Sequence, residues 1–283
     1  MNQRRKTRIG AVSYLNTKPL VYGLERLLPD ADVIFDLPSR LADQLAGGEL
    51  DVALIPSIEF FQNPAYAIVS DACIGCRGPV LSVKLLGRKP LDQIQSLALD
   101  EGSRTSVALA RILLQERFGL APRLERLPIG ATIADTTADA ILLIGDRAIH
   151  LPPDAFVETW DLGEEWQRWA ELPFVFAMWV ARPGFDATGV ATALAAARDL
   201  GLEHLEEIAR AEAVAVDLSP VECLAYLRDN LYFYLGPRER RGLELFRTHA
   251  EKLGLIPGFA AKTDADFSES ELKNAKCKMQ KAN

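Results

Sequence analysis

Histidine is scarce in this chain of 283 residues: His150, His204 and His249 stand far apart. No HExxH pair is present, and a zinc site needs about four donors at suitable spacing. Cysteine is almost as rare. Cys73 and Cys76 form a CxxC, while Cys223 and Cys277 stand alone. A single CxxC with no second pair reads as two reduced thiols near a strand end, behaving as small buried hydrophobes. GxSxG and P-loop motifs are also missing, which sets aside the common forms of serine-hydrolase and nucleoside-triphosphate chemistry.

Long apolar runs are lacking too, so no segment is expected to span a membrane. The basic start MNQRRKTR is followed by Ser13, Asn16, Lys18 and Pro19, which interrupt the apolar stretch of a secretory signal. A cytoplasmic protein is expected. Positive charge is not in excess: the net charge is −7, against the basic face that a nucleic-acid binder carries. A small anionic ligand stays compatible, since a local site can be positive on an acidic protein. Oligomeric state is not legible.

The chain does have apolar mass, 49% of its residues, enough for one large core or two smaller ones. It comes in short β-rich runs alternating with helical patterns. Strands are expected at Arg8–Val12, Asp32–Phe35, Val52–Ile55, Ala67–Ser70, Leu81–Leu86, Ser96–Leu99, Arg123–Leu127, Ala140–Ile144, Phe156–Thr159 and Val175–Val180. Helices are expected at Pro19–Leu28, Arg40–Ala46, Ser57–Gln62, Thr105–Phe118 and Glu164–Ala170. In Thr105–Phe118, Val107, Ala110, Leu114 and Phe118 fall on one face, and Gly119 is a natural stop. The alternation implies βαβ units and a mostly parallel sheet. After Pro183 the pattern becomes helical, over Ala187–Ala211, Ser219–Leu231 and Pro237–Leu253. The polar segment after Lys262 is assigned no function.

Three strand ends run into hydroxyl residues: Val12 into Ser13, Ile55 into Pro56-Ser57, and Leu99 into DEGSRTS (Asp100 to Ser106). Open parallel sheets bind ligands beyond the carboxyl ends of their strands. SRTS also opens the strongest helix pattern, and helix N-termini suit carboxylates or phosphates. Ser103, Thr105 and Ser106 add hydroxyl donors and Arg104 a charge, although Ser103 also reads as a simple cap. Asn16 lies in a turn, where Asn is either a turn former or an amide that orients a hydroxyl or carboxylate. Ser82 opens an apolar strand after Gly78-Pro79. Asp146 reads as a helix cap, an ion-pair partner of Arg147 or a ligand contact, with the structural roles favoured.

VSYLNTKPL (Val12 to Leu20), IPSIEF (Ile55 to Phe60), GPVLSVKLL (Gly78 to Leu86), LDEGSRTS, LLIGDRA (Leu142 to Ala148) and ELPFVFAMW (Glu171 to Trp179) occur in this order. Together they resemble blocks of the chorismate dehydratases of the futalosine route to menaquinone, and YFYLGPRERRGLELF (Tyr232 to Phe246) is similar as well. The resemblance implies an α/β, two-lobed type II periplasmic-binding-protein-like fold with mostly parallel sheets and a helical C-terminal portion. Lobe one would hold residues 1–83 and 179–262, lobe two 84–178, with the polar tail at 263–283.

The resemblance also implies a reaction: chorismate loses water to give 3-[(1-carboxyvinyl)oxy]benzoate, and no cofactor is required. By the same resemblance Asn16 and Ser82 lie near the reacting hydroxyl. Ser13, Ser57, Ser103, Arg104, Thr105 and Ser106 would bind the carboxylates of this small dicarboxylate substrate. The other readings are a non-catalytic carboxylate-binding protein of the same fold and the related enzyme acting on a cyclic futalosine derivative. A transcription-factor ligand domain would need a DNA-binding module, and only seven residues precede the first expected strand.

Overall fold

The computed structural model describes residues 6–150 and 156–257. The polar tail and Cys277 lie outside the described residues. Among the described residues eleven strands form two sheets. The first joins β1 (Thr7–Val12), β2 (Ala31–Asp36), β3 (Val52–Pro56), β4 (Ala67–Cys76), β10 (Phe174–Ala181) and β11 (Tyr232–Tyr234), in the order β11-β4-β10-β3-β1-β2. The second joins β5 (Val83–Gly87), β6 (Ser96–Asp100), β7 (Arg123–Leu127), β8 (Ala140–Ile144) and β9 (Glu158–Asp161), in the order β7-β6-β8-β5-β9.

The expected α/β alternation is present, but the sheets are mixed rather than mostly parallel. β1 pairs in parallel with β2 and β3, and β6 with β7 and β8. β10 is antiparallel to β3 and β4, β11 to β4, and β5 to β8 and β9. The reason lies in the connections. β5 and β10 are the strands by which the chain enters one sheet after leaving the other. They start at the edge where β1, β3 and β8 end, so they run the opposite way.

Local signals were overridden in several places. The helical pattern at Pro19–Leu28 forms two single turns, Lys18–Val21 and Leu24–Leu27, divided at Tyr22-Gly23. The long pattern from Ala187 breaks at His204 into Thr188–Glu203 and Leu205–Glu212. Gly201 explains how the first of these packs: a Cβ there would lie 2.0 Å from the Pro19 carbonyl oxygen. Only glycine lets the helix come close enough to brace the turn that follows β1.

The helix Thr105–Phe118 has the expected limits, but not the expected single apolar face. Leu109, Ile112, Leu113 and Leu114 are all fully buried, while Phe118 is 37% exposed. The helix packs on β8, on β10 and on the helix Pro237–Lys252. It is therefore covered on both sides and links the two sheets.

A candidate active site between the two sheets

A cavity with about 520 Å³ of unfilled space opens where the strand ends converge. Val12 and Pro56 end β1 and β3, Ile144 ends β8, and Val83 begins β5; all four line it. Ile74, Val80, Phe176 and Ala177 supply further apolar wall, and Tyr14, Asn16, Ser82, Ser103, Thr105 and Ser106 the polar groups.

The turn after β1 is held from the other sheet. Leu15 is buried, and its backbone N–H donates to Asp146 at 3.3 Å. Burial raises the Asp146 carboxyl above its ordinary range. Arg147 pairs with Asp100 instead, so the expected Asp146–Arg147 pair does not form. Tyr14 lies against Gly145, where the backbone has φ +72° and a Cβ would come within 2.9 Å of the phenol ring. Burial foremost, then the negative charge of Asp100, pushes the Tyr14 phenol up to about 12. It therefore presents a neutral O–H at neutral pH.

Ser82 is positioned by an unusual backbone. Leu81 has φ +60°, a conformation costly for a branched side chain and concentrated at functional sites. The Asp161 carboxylate accepts the Val80 N–H at 2.9 Å and the Leu81 N–H at 2.7 Å. The Ser82 carbonyl accepts Gly145 N–H at 2.9 Å. These bonds fix the turn that places Ser82 at the cavity wall.

The segment 103–106 brings four expected residues to the wall, with individual differences. The Ser103 hydroxyl accepts the Ser106 N–H at 3.3 Å, so it does serve as a helix-start acceptor. Thr105 Oγ1 accepts the Ile58 N–H at 3.2 Å. Arg104 lines the cavity, yet its guanidinium is committed: Nη2 donates to both Asp43 oxygens at 2.8 Å, and Nη1 lies 3.2 Å from Glu59. It ties the second sheet's helix to two helices of the first rather than presenting a free charge.

Two expected residues lie elsewhere. Ser13 is exposed and does not line the cavity; its N–H completes the ladder to Asp36 at 3.0 Å. Strand alternation explains this, because Val12 already faces the cavity and its neighbour faces away. Ser57 is fully buried behind the wall. Its hydroxyl donates to the Val175 carbonyl at 2.8 Å and sits 3.4 Å from the Thr105 hydroxyl.

Three residues escaped the sequence reading. Tyr14 was visible beside Asn16 but unassigned. Phe176 comes from LPFVFAMW (Leu172 to Trp179), a segment that reads mostly as core with one or two residues free to form an apolar wall beside a ring, and the sequence did not single it out. Tyr226 lies 144 residues from Ser82, and nothing local ties the two together. Cys73 and Cys76 are buried free thiols in β4, as expected. Burial pushes both well up, Cys76 to about 12, so neither is a reactive thiolate. Among the described residues no three His, Cys, Asp or Glu side chains gather as metal ligands.

A family model described as menaquinone biosynthesis matches residues 7–252. The chain belongs to this menaquinone biosynthesis family. A chorismate dehydratase of Thermus thermophilus is 34% identical over 265 residues, spanning 87% of this chain and 95% of that protein. A chorismate dehydratase of Campylobacter jejuni is 29% identical over 177 residues, or 59% of this chain and 64% of that one. Among solved structures, an Archaeoglobus fulgidus protein superposes with a TM-score of 0.72 at 16% identity, over 90% of this chain and all of that one. The periplasmic aliphatic sulphonate binding protein of Escherichia coli superposes at 0.56 with 14% identity, over 90% of each chain. At such identities these structures speak to the fold alone. This member of the menaquinone biosynthesis family has the periplasmic-binding-protein-like fold that the sequence blocks implied.

Proposed function

We propose that this protein is a chorismate dehydratase, converting chorismate to 3-[(1-carboxyvinyl)oxy]benzoate and water. The observation that carries the reading is the 34% identity to the Thermus thermophilus chorismate dehydratase across 87% of the chain. The cavity supports it. The reaction breaks a C–H bond at the ether-bearing carbon and a C–O bond at its neighbour, and forms the last double bond of an aromatic ring. Aromatisation supplies driving force, so the protein has to orient the ring, hold two carboxylates and assist the departing hydroxyl. Phe176, Ile144 and Val80 provide an apolar wall for a ring. Tyr14, Ser103 and Ser106 provide neutral donors for the carboxylates, and Asn16 and Ser82 stand on the same cavity.

No carboxylate or imidazole lines this cavity among the described residues. We assign the proton abstraction to a carboxylate of the substrate itself, which lies near the ring. An analogue lacking the enolpyruvyl carboxylate should then bind without losing water, and rapid turnover of it would refute the assignment. The lobes are proposed as 1–83 with 179–262 and 84–178; β5 (Val83–Gly87), in the second sheet, and β10 (Phe174–Ala181), in the first, lie across these boundaries. The expected cytoplasmic setting is kept as part of this proposal; no helix of the described residues is long and apolar enough to cross a membrane.

The test is direct. Purified protein mixed with chorismate should develop a benzoate-type ultraviolet spectrum and a product lighter by one water. Folded protein that binds chorismate and leaves it unchanged would favour the non-catalytic reading instead.

A further inference from the structure

We propose that Tyr226 is the positioning residue of the dehydration, setting the direction in which Ser82 donates its hydroxyl hydrogen. The proposal rests on the dehydratase reading above. Tyr226 is 1% exposed and does not line the cavity. Its phenol O–H donates to Ser82 Oγ at 2.9 Å. This one bond ties a buried phenol to a cavity residue 144 positions away in sequence.

The backbone around Tyr226 is shaped for this contact. The α-helix Pro220–Ala225 passes into a π-helical turn, Tyr226–Asn230. Such turns are rare and gather at functional sites. Both ends of this one grip the segment that carries Ser82: Tyr226 holds Ser82 itself, and Asn230 Nδ2 donates to the Pro79 carbonyl at 3.0 Å. Leu81, between them, has the left-handed backbone already noted.

The hydrogen-bond order has a chemical consequence. The phenol donates to Ser82. Ser82 Oγ is then an acceptor towards Tyr226, and its own hydrogen is left for the cavity. A hydroxyl that already accepts a hydrogen bond is the stronger donor. When the ring C–O bond breaks, its electron pair stays on the departing oxygen, and the Ser82 O–H stabilises the charge gathering there. Tyr226 keeps its proton throughout. The benefit exists in the transition state and hardly in the bound substrate, so it belongs to kcat rather than KM.

The test is Tyr226→Phe, which keeps the ring and removes the oxygen. kcat should fall by about tenfold or more, with KM within about threefold of wild type and the circular dichroism spectrum unchanged at the assay temperature. In a Ser82→Ala background, with residual turnover followed by product accumulation over hours, the same change should alter kcat by less than about twofold. Wild-type kcat in Tyr226→Phe overturns the role. So does a full multiplicative loss in the double variant, or a kcat loss that merely tracks unfolded protein. Absence of chorismate turnover in the wild type defeats the dehydratase reading and this role with it, whereas turnover that Tyr226→Phe leaves intact defeats the role alone.

Discussion

The Asp146 carboxylate accepts the backbone N–H of Leu15 at 3.3 Å across the cavity, joining residues 131 positions apart. The bond ties the loop after β8 to the turn that carries Tyr14 and Asn16. An N–H left without a partner in a buried place costs about 1–3 kcal/mol. Asp146→Ala should therefore cost about that much in urea unfolding and lower kcat/KM by about tenfold or more. Asp146→Asn keeps an acceptor oxygen and should recover most of both. Equal losses in the two variants would mean that the charge, not the acceptor, matters.

Arg104 gives a second test, because its guanidinium lies between Asp43 and Glu59 rather than free in the cavity. If it acts by drawing the walls together, removing its partners should imitate removing Arg104. Arg104→Ala and Glu59→Gln should both raise KM, by about tenfold or more on the usual scale of a charge-assisted hydrogen bond, with smaller changes in kcat. A substrate-contacting Arg104 would give a different pattern. Arg104→Ala alone would then be damaging, and Glu59→Gln would leave KM unchanged or lower it.

How much of this was legible in the sequence depends on the range over which each signal acts. The strand ends that meet at the cavity were readable, because a short apolar run followed by hydroxyl residues is a local pattern. So were the exact limits of Thr105–Phe118, with Gly119 taking the left-handed stop. Sheet direction was not readable, since β5 and β10 look like any apolar strand and run backwards only because of where the chain crosses. Asn16 and Ser82 came from family resemblance; their own chemistry favoured no role. The Ser82 partner, Tyr226, stayed hidden inside an expected helix, Ser219–Leu231, whose second half is a π turn. Ser13 was misplaced by applying a strand-end rule without the alternation that turns its side chain outward.

Gly145 offers a third prediction, resting on two independent costs. Its φ of +72° disfavours any side chain, and an alanine Cβ would stand 2.9 Å from the Tyr14 ring. The backbone cost is about 1–3 kcal/mol, and relief of the clash requires Tyr14 to leave its place at the wall. Gly145→Ala should lower stability by about 2 kcal/mol or more and reduce turnover further than the unfolded fraction explains. A Tyr14→Ala/Gly145→Ala double variant should recover stability relative to Gly145→Ala, with the room restored, while staying poorly active. Ordinary stability in Gly145→Ala would show that this contact is not as close as described.

Asp51 supports the fold from the end away from the cavity, and its acidity gives a pH signature. It is 4% exposed and accepts the Arg8 backbone N–H at 3.0 Å, Arg8 Nε at 3.3 Å and Arg182 Nε at 3.0 Å. It thereby clamps the start of β3 to β1 and to the end of β10. Burial alone would raise its carboxyl, but the hydrogen bonds from Arg8 and Arg182 outweigh burial and bring it down to about 2. The unfolded chain has an Asp of about 3.9. Folding therefore favours the ionised form, and the stabilisation is complete above the unfolded value and disappears as pH falls through about 2. A separation of this size corresponds to about 2–3 kcal/mol at neutral pH. Asp51→Asn should lose about that much in urea unfolding at pH 7, and the gap to wild type should shrink to roughly half by pH 3. A gap that stays constant between pH 7 and pH 3 would show that packing, and not the charge of Asp51, holds these three strands together.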